Sequence, residues 1–194
     1  MGDFSVTYHK EAYRHCRGGH HSHSGTPPEH GFITNSVTWW HMAVIRPPVA
    51  EDYEQLNEMG RWFQENSAYK DCGWSERKCA SMILSSMSDS STQFMRVAEE
   101  DGQIIGMFIG IVTEYFFSEE RIAMEQVVFF SPDKRKNIGK YLIKMFRQFE
   151  EWAIAKGARE VCVGITSGIA GDGYEKLIKR VGYISAGSIY KREV

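Results

Sequence analysis

Ser131-Pro-Asp-Lys-Arg-Lys-Asn-Ile-Gly-Lys140 is the stretch on which the reading of this chain turns. Two contrasting patterns meet there. Residues 122–130 form an apolar run with the character of a strand, closed by Ser131-Pro132-Asp133. Residues 138–155 place Leu142, Met145, Phe146, Phe149 and Trp152 at helical spacing ahead of a terminating Gly157. A loop in that position gathers the free backbone N–H groups and the positive dipole end of a helix at one point, where an anion is stabilised. Lys134, Arg135, Lys136 and Lys140 add four cationic side chains in seven residues, within a chain whose 23 Lys+Arg and 25 Asp+Glu leave a net charge of −2. Gly139, without a Cβ, lets a phosphate come close to the backbone. On local sequence two readings compete: a phosphate cradle, and a solvated charged turn that caps a helix.

Working outward from the loop, residues 103–116 read as a long strand and 94–98 as its hairpin partner, joined through Glu100-Asp101-Gly102. Ala43-Val-Ile-Arg46 reads as a first strand, stopped by Pro47-Pro48. Glu51-Asp52 opens a helix with Tyr53, Leu56, Met59, Trp62 and Phe63 on one face. A polar loop over 66–75 leads to a second helix that begins at Ser75-x-x-Lys78 and turns Cys79, Met82, Ile83 and Met87 inward. After the long helix come a buried strand over 160–165, a helix over 173–181 and a final strand over 183–190. The order β-α-α-β-β-β-α-β-α-β predicts an α/β protein of the α+β kind, with a mixed sheet flanked by helices.

A length of 194 residues, 42% of them hydrophobic, fits one domain with an appendage and excludes a disordered chain. The near-neutral charge argues against a nucleic-acid binder. The longest apolar run, 104–112, is interrupted by glycines and falls short of the roughly 18–20 residues of a membrane helix, and the N-terminus has no apolar signal region, so a cytoplasmic location is expected. Cys16, Cys72, Cys79 and Cys162 are too dispersed for a disulfide framework. All seven histidines precede residue 42, and 17–31 is mostly Gly, His, Ser and Pro. The expected boundary therefore sets a 1–41 arm apart from a 42–194 domain. His15-Cys16 and His20-His21-x-His23 could ligate zinc, but the spacing matches no established module, and no metal site is assigned. The arm reads as a tail, a tag or a segment that contacts a homodimer or assembly partner.

From Ala43 to the C-terminus the chain resembles the GNAT superfamily of acetyl-CoA-dependent N-acetyltransferases, in particular those of bacteria and their phages. The resemblance lies in the order of elements and in Lys134-x-x-Asn137-x-Gly139, followed by Leu142-Ile143, where the family has Arg/Gln-x-x-Gly-x-Gly/Ala around the pyrophosphate of coenzyme A. Lys replaces Arg/Gln, and Asn replaces the first Gly, a substitution compatible with positive φ. In a second register Arg135 is the family arginine and the loop is one residue shorter. Arg180-Val-Gly182-Tyr183 is similar to the family's last helix–strand junction. The position of the family's acidic tyrosine then falls on Ile178, whereas Tyr174-Glu-Lys-Leu177 stands four residues earlier, one helical turn away and on the same face.

The resemblance implies a splayed mixed sheet and a direct transfer of acetyl from acetyl-CoA, as co-substrate, to a primary amine of a small molecule or protein. It implies that Val128, Phe129 and Phe130 border the pantetheine arm, and that Lys134, Arg135, Lys136, Asn137, Ile138, Gly139 and Lys140 hold the pyrophosphate. Glu125 is the candidate general base, against the reading of a solvent-facing strand carboxylate. Tyr174 is the candidate general acid, against that of a core or pocket-wall tyrosine. With no histidine in the domain, the base is otherwise a tyrosine, a water or the amine's own equilibrium. Ser167–Gly173 is Gly-rich but matches neither a dinucleotide fingerprint nor a phosphate-binding P-loop, and is taken as a wall beside the cofactor. The 65–74 loop is expected on the acceptor side, and Tyr115, Phe116 and Phe117 close the long strand nearby, where their rings read first as packing and second as the edge of an acceptor mouth. Two alternatives stay open: a transferase of another acyl group, and a catalytically weak or inactive protein of the same fold, anchored through its N-terminal arm.

Overall fold

Asp101 and Gly102 both carry positive φ, 53° and 78°, which makes the two-residue turn whose twist matches paired strands. It joins β2 (Gln93–Glu100) to β3 (Gln103–Glu114), and β3 returns antiparallel into β4 (Arg121–Phe130). β1 (Val44–Arg46) flanks β2 antiparallel, and β5 (Ala158–Cys162) lies parallel to β4, giving a five-stranded mixed sheet in the order β1-β2-β3-β4-β5. The computed structural model describes residues 43–89, 91–133, 137–164, 166–169 and 172–192. The 1–41 arm, with every histidine and Cys16, lies outside them, as do Lys134, Arg135 and Lys136.

Each face of the sheet has its own core. α1 (Tyr53–Glu65) follows a short 3-10 turn at Ala50–Asp52, and α2 (Glu76–Ser86) is capped by Ser75, whose hydroxyl accepts from the Lys78 N–H. These two helices bury Leu56, Met59, Cys79 and Ile83 against Met95, Val97, Met107, Ile109 and Phe129. On the other face α3 (Ile138–Ala155) and α4 (Asp172–Arg180) cover Phe94, Ala98, Ile105, Phe108, Val112 and Ala123. Met145, Phe146, Phe149 and Ala153 of α3 are essentially fully buried, as the helical spacing requires. Phe149 lies 5.0 Å from Phe108, 5.2 Å from Phe94 and 5.8 Å from Trp152, an aromatic knot at the centre of this core.

The glycines that break the 104–112 run have a packing role. A Cβ on Gly110 would come within 2.4 Å of the Phe149 ring, and one on Gly106 within 2.3 Å of the Phe130 ring. Both sit beneath aromatic rings that leave no room for a side chain. At the outer edge Arg46 ties β1 to its neighbours: its guanidinium donates to both oxygens of buried Asp52, at 2.6 and 2.8 Å, and to Glu99 at 2.6 Å. Among the described residues no helix is long and apolar enough to cross a membrane.

The expected order holds up to α4, but β5 spans Ala158–Cys162 rather than 160–165 and is half-exposed rather than buried, and the last expected strand does not form. Residues 183–192 form neither strand nor helix, and Ile184, Ile189 and Tyr190 are largely exposed. Alternating apolar side chains make a strand only where an edge is offered for pairing. Here β5 is five residues long, and φ of +107° at Gly182 and +149° at Gly187 breaks the extended path beside it.

Candidate active site

The ladder between β4 and β5 covers only Arg121–Met124 of β4, whereas the ladder with β3 runs on to Phe130. From Glu125 onward the β5-facing edge of β4 therefore has no ladder partner among the described residues. The cause lies in the register with β3. Ile109 faces Val127 and Gly110 faces Glu125, so Gln126 is an extra residue on β4. A bulge of this kind bends its strand and re-aims the neighbouring side chains. The opening so formed is a cavity of about 60 Å³ lined by Phe63, Tyr69, Glu125, Val128, Gly164 and Tyr174, among others.

Glu125 and Tyr174 meet in this opening. The Tyr174 hydroxyl donates to Glu125 Oε2 at 2.6 Å, and the Gly164 N–H donates to the same oxygen at 3.1 Å. Burial pushes the Glu125 carboxyl above its ordinary 4.5, although these two hydrogen bonds pull the other way. Burial, followed by the Glu125 charge and its hydrogen bond, raises the Tyr174 phenol far above its ordinary value and keeps it protonated. A carboxyl whose proton affinity is raised by burial thus touches a protonated phenol. Ile178, one turn further along α4, packs with Tyr174 against the α3 core and carries no polar group.

Surrounding contacts hold the pair in place. The Phe146 ring lies 6.1 Å from Tyr174 and 5.9 Å from Tyr183, and the Tyr183 hydroxyl donates to Glu150 at 2.8 Å, fixing the end of α4 on α3. The loop between α1 and α2 closes the opposite side. The Ala68 N–H donates to the Ser167 carbonyl at 2.8 Å, Tyr69 and Thr166 hydroxyls hydrogen-bond at 2.6 Å, and Lys191 Nζ donates to the Ala68 carbonyl at 2.9 Å. Thr166 and Ser167 thereby line the opening, at the near end of the Ser167–Gly173 segment. Tyr115, Phe116 and Phe117 do not. They lie at the β3–β4 turn, where Phe116 is fully exposed and the Tyr115 hydroxyl is held by Glu160, and they line neither this cavity nor the larger one beside it.

Beyond the opening β4 leads to the N-terminus of α3. Asn137 adopts the left-handed conformation expected of it, with φ 65° and ψ 3°, and its carbonyl accepts from the Lys140 and Tyr141 N–H groups. The Asn137 side chain makes no cap hydrogen bond, and the Ile138 and Gly139 N–H groups precede the first intrahelical bond. Asn137, Gly139 and Lys140 are exposed, and a Cβ on Gly139 would meet nothing within 4 Å. Val128 borders the cavity at the parted edge. The side chains of Phe129 and Phe130 are committed elsewhere: Phe129 stacks near Trp62 and Phe63, at 5.2 and 5.6 Å, and Phe130 lies over Gly106. Only their backbone remains for a ligand. Gly164, Gln126 and Thr166 join the site without a sequence signal, because a bulge partner and a loop amide are set by the fold.

No protein-family model matches the chain, and no curated protein matches it in sequence. Solved structures do match. An aminoglycoside acetyltransferase, AAC(6')-Iy in complex with a bisubstrate analogue, CoA-S-monomethyl-acetylneamine, aligns with a TM-score of 0.58 and 15% identity over 78% of this chain and 98% of its own. A ribosomal-protein-alanine N-acetyltransferase from Brucella melitensis biovar Abortus 2308 aligns with a TM-score of 0.56 and 13% identity over 78% and 99%. An aminoglycoside acetyltransferase from an uncultured soil metagenomic sample, meta-AAC0020 in complex with sisomicin, aligns with a TM-score of 0.55 and 18% identity over 79% and 95%. With β4 and β5 parting beside the start of α3, the chain shares the fold of these solved acetyltransferase structures, the fold that the sequence resemblance implied.

Proposed function

We propose that this protein is an N-acetyltransferase that moves the acetyl group of acetyl-CoA to a primary amine by direct transfer. The observation that carries the proposal is the 2.6 Å contact between the Tyr174 hydroxyl and Glu125 at the point where β4 and β5 separate. The β4 edge from Glu125 to Phe130 suits an extended amide-bearing arm, which pairs with free strand N–H and C=O groups as a further strand would. The amides of Ile138 and Gly139 suit a diphosphate. The cationic side chains of Lys134, Arg135, Lys136 and Lys140 adjoin those amides in sequence and would add charge-assisted contacts.

The proton inventory closes on the two residues in contact. An amine nitrogen that attacks the thioester carbonyl becomes positively charged and must lose one proton, while the sulfur that leaves must gain one. Glu125 accepts the first, directly or through a water. Tyr174 gives its hydroxyl proton to the sulfur and recovers one from Glu125 across their hydrogen bond. The net result is one C–N bond formed, one C–S bond broken and one proton moved from nitrogen to sulfur, with both side chains restored.

The alternative of an inactive interaction protein drew support from the displaced tyrosine, from Asn137 in the loop and from the N-terminal arm, of which the structure bears on the first. That support weakens, because Tyr174 rather than the Ile178 position reaches the carboxylate. Acetyl-CoA incubated with the protein and a set of primary amines is expected to yield acetylated amine and free CoA thiol in equal amounts by mass spectrometry. Acetyl-CoA that stays intact with every amine would contradict the proposal.

A further inference from the structure

Beside the Glu125 opening lies a larger cavity of about 400 Å³, between α1, α2 and the sheet. The two share Phe63, Tyr69, Gln126 and Val127 as lining residues, so the larger space adjoins the Glu125 opening. The volume lies in the range of small-molecule sites. Its lining is unusual for a site that takes a polyamine or an amino sugar. Phe63, Trp74, Met82, Met95, Met107 and Ile109 give it a largely apolar wall, and among the described residues no Asp or Glu lines it and Lys78 is the one ionisable cation at its border. A second ammonium on the acceptor would lose its hydration with no carboxylate to replace it, and would face Lys78. Methionine walls adapt to flat rings and make favourable sulfur–aromatic contacts.

We infer that the acceptor is a primary amine on an apolar, aromatic body that carries no charge besides the reacting nitrogen. Polycationic acceptors of the kind bound by the aminoglycoside acetyltransferases of this fold are disfavoured. The inference rests on the acetyl-transfer reading for its chemistry, but its binding claim stands on the cavity alone.

The test therefore reads binding first. Trp74 donates from its indole N–H to Asn57 at 2.9 Å at the border of the cavity, and its indole signal, assigned with Trp74→Phe, reports occupancy by NMR. In the full chain, 2-phenylethylamine and tryptamine are expected to shift this signal saturably, whereas spermidine and kanamycin leave it in place. Gly73→Leu offers a second handle. Its Cβ meets nothing within 4 Å and its φ is not in the left-handed region, so the variant narrows the cavity without strain. It should weaken 2-phenylethylamine binding at least tenfold while acetyl-CoA affinity is kept. With acetyl-CoA present, kcat/KM should favour the aromatic amines over the polycations by tenfold or more. Saturable binding of the aromatic amines without their acetylation would uphold the cavity's selectivity and overturn the transferase reading. Acetylation of spermidine or kanamycin in preference, or an unmoved Trp74 signal with both aromatic amines, would overturn the inference and leave the transferase reading standing.

Discussion

Glu125→Gln is expected to lower kcat by about 100-fold or more, the usual contribution of a positioned general base. The amide keeps the shape of the side chain but cannot take a proton from the amine. Tyr174→Phe removes the proton source and should cost a comparable factor. Because the two groups pass one proton between them, the double variant should be little slower than either single one. In the unaltered protein kcat/KM should rise with pH through the Glu125 titration. Burial places that limb above the ordinary carboxylate value of 4.5, and Glu125→Gln should flatten it. Stability carries the same signature with a defined sign. A carboxyl whose pKa is raised on folding binds its proton more tightly in the folded state, so its contribution is full below 4.5 and declines as pH rises through the folded value. The melting temperature of Glu125→Gln relative to the unaltered protein should therefore climb with pH over that window. A pH-independent difference, or a kcat within threefold of the unaltered enzyme, would remove Glu125 from the mechanism.

The second large effect is structural. Phe149→Ala should destabilise the fold by about 3–5 kcal/mol, because the ring is wholly buried and the rigid residues around it cannot close the space. Phe94, Phe108 and Trp152 surround it, and Gly110 offers no side chain to fill the void. For a domain of this size a loss of that order lowers Tm by roughly 10 °C. Gly110 is also the register partner of Glu125, so loosening here should broaden the position of the base as well. Chemical denaturation with an unchanged m-value measures the effect, and a loss below about 1 kcal/mol would contradict this account of the core.

Periodicity was informative where one face of an element decides burial. It predicted α3 over 138–155, the residues the structure assigns, and the Asp101-Gly102 turn, because each rests on local chemistry. Tyr174 is named from the family resemblance, and helical spacing adds only that it stands one turn from Ile178 on a shared face. Other features had no local signal. The bulge at Gln126 arises from pairing with β3, sixteen residues away, and nothing in Glu125-Gln126-Val127 announces it. The glycines at 106 and 110 look like interruptions in sequence and prove to be seats for Phe130 and Phe149. The apolar alternation over 183–190 promised a strand, but strand character in sequence says nothing about whether an edge is available. The aromatic-edged mouth, weighed second to packing at Tyr115–Phe117, does not form: the β3–β4 turn carries those rings away from the cavity between α1, α2 and the sheet.

Calorimetric titration of acetyl-CoA, with desulfo-CoA as a non-reactive partner, into the full chain tests the central claim without knowledge of the acceptor. The account predicts saturable binding of both at one site per chain. It also predicts that neutralising Lys134, Arg135 and Lys136 together weakens binding by about tenfold or more, since charge-assisted contacts contribute about 1.5 kcal/mol or more each. No binding of either ligand to a protein that still melts cooperatively would contradict it.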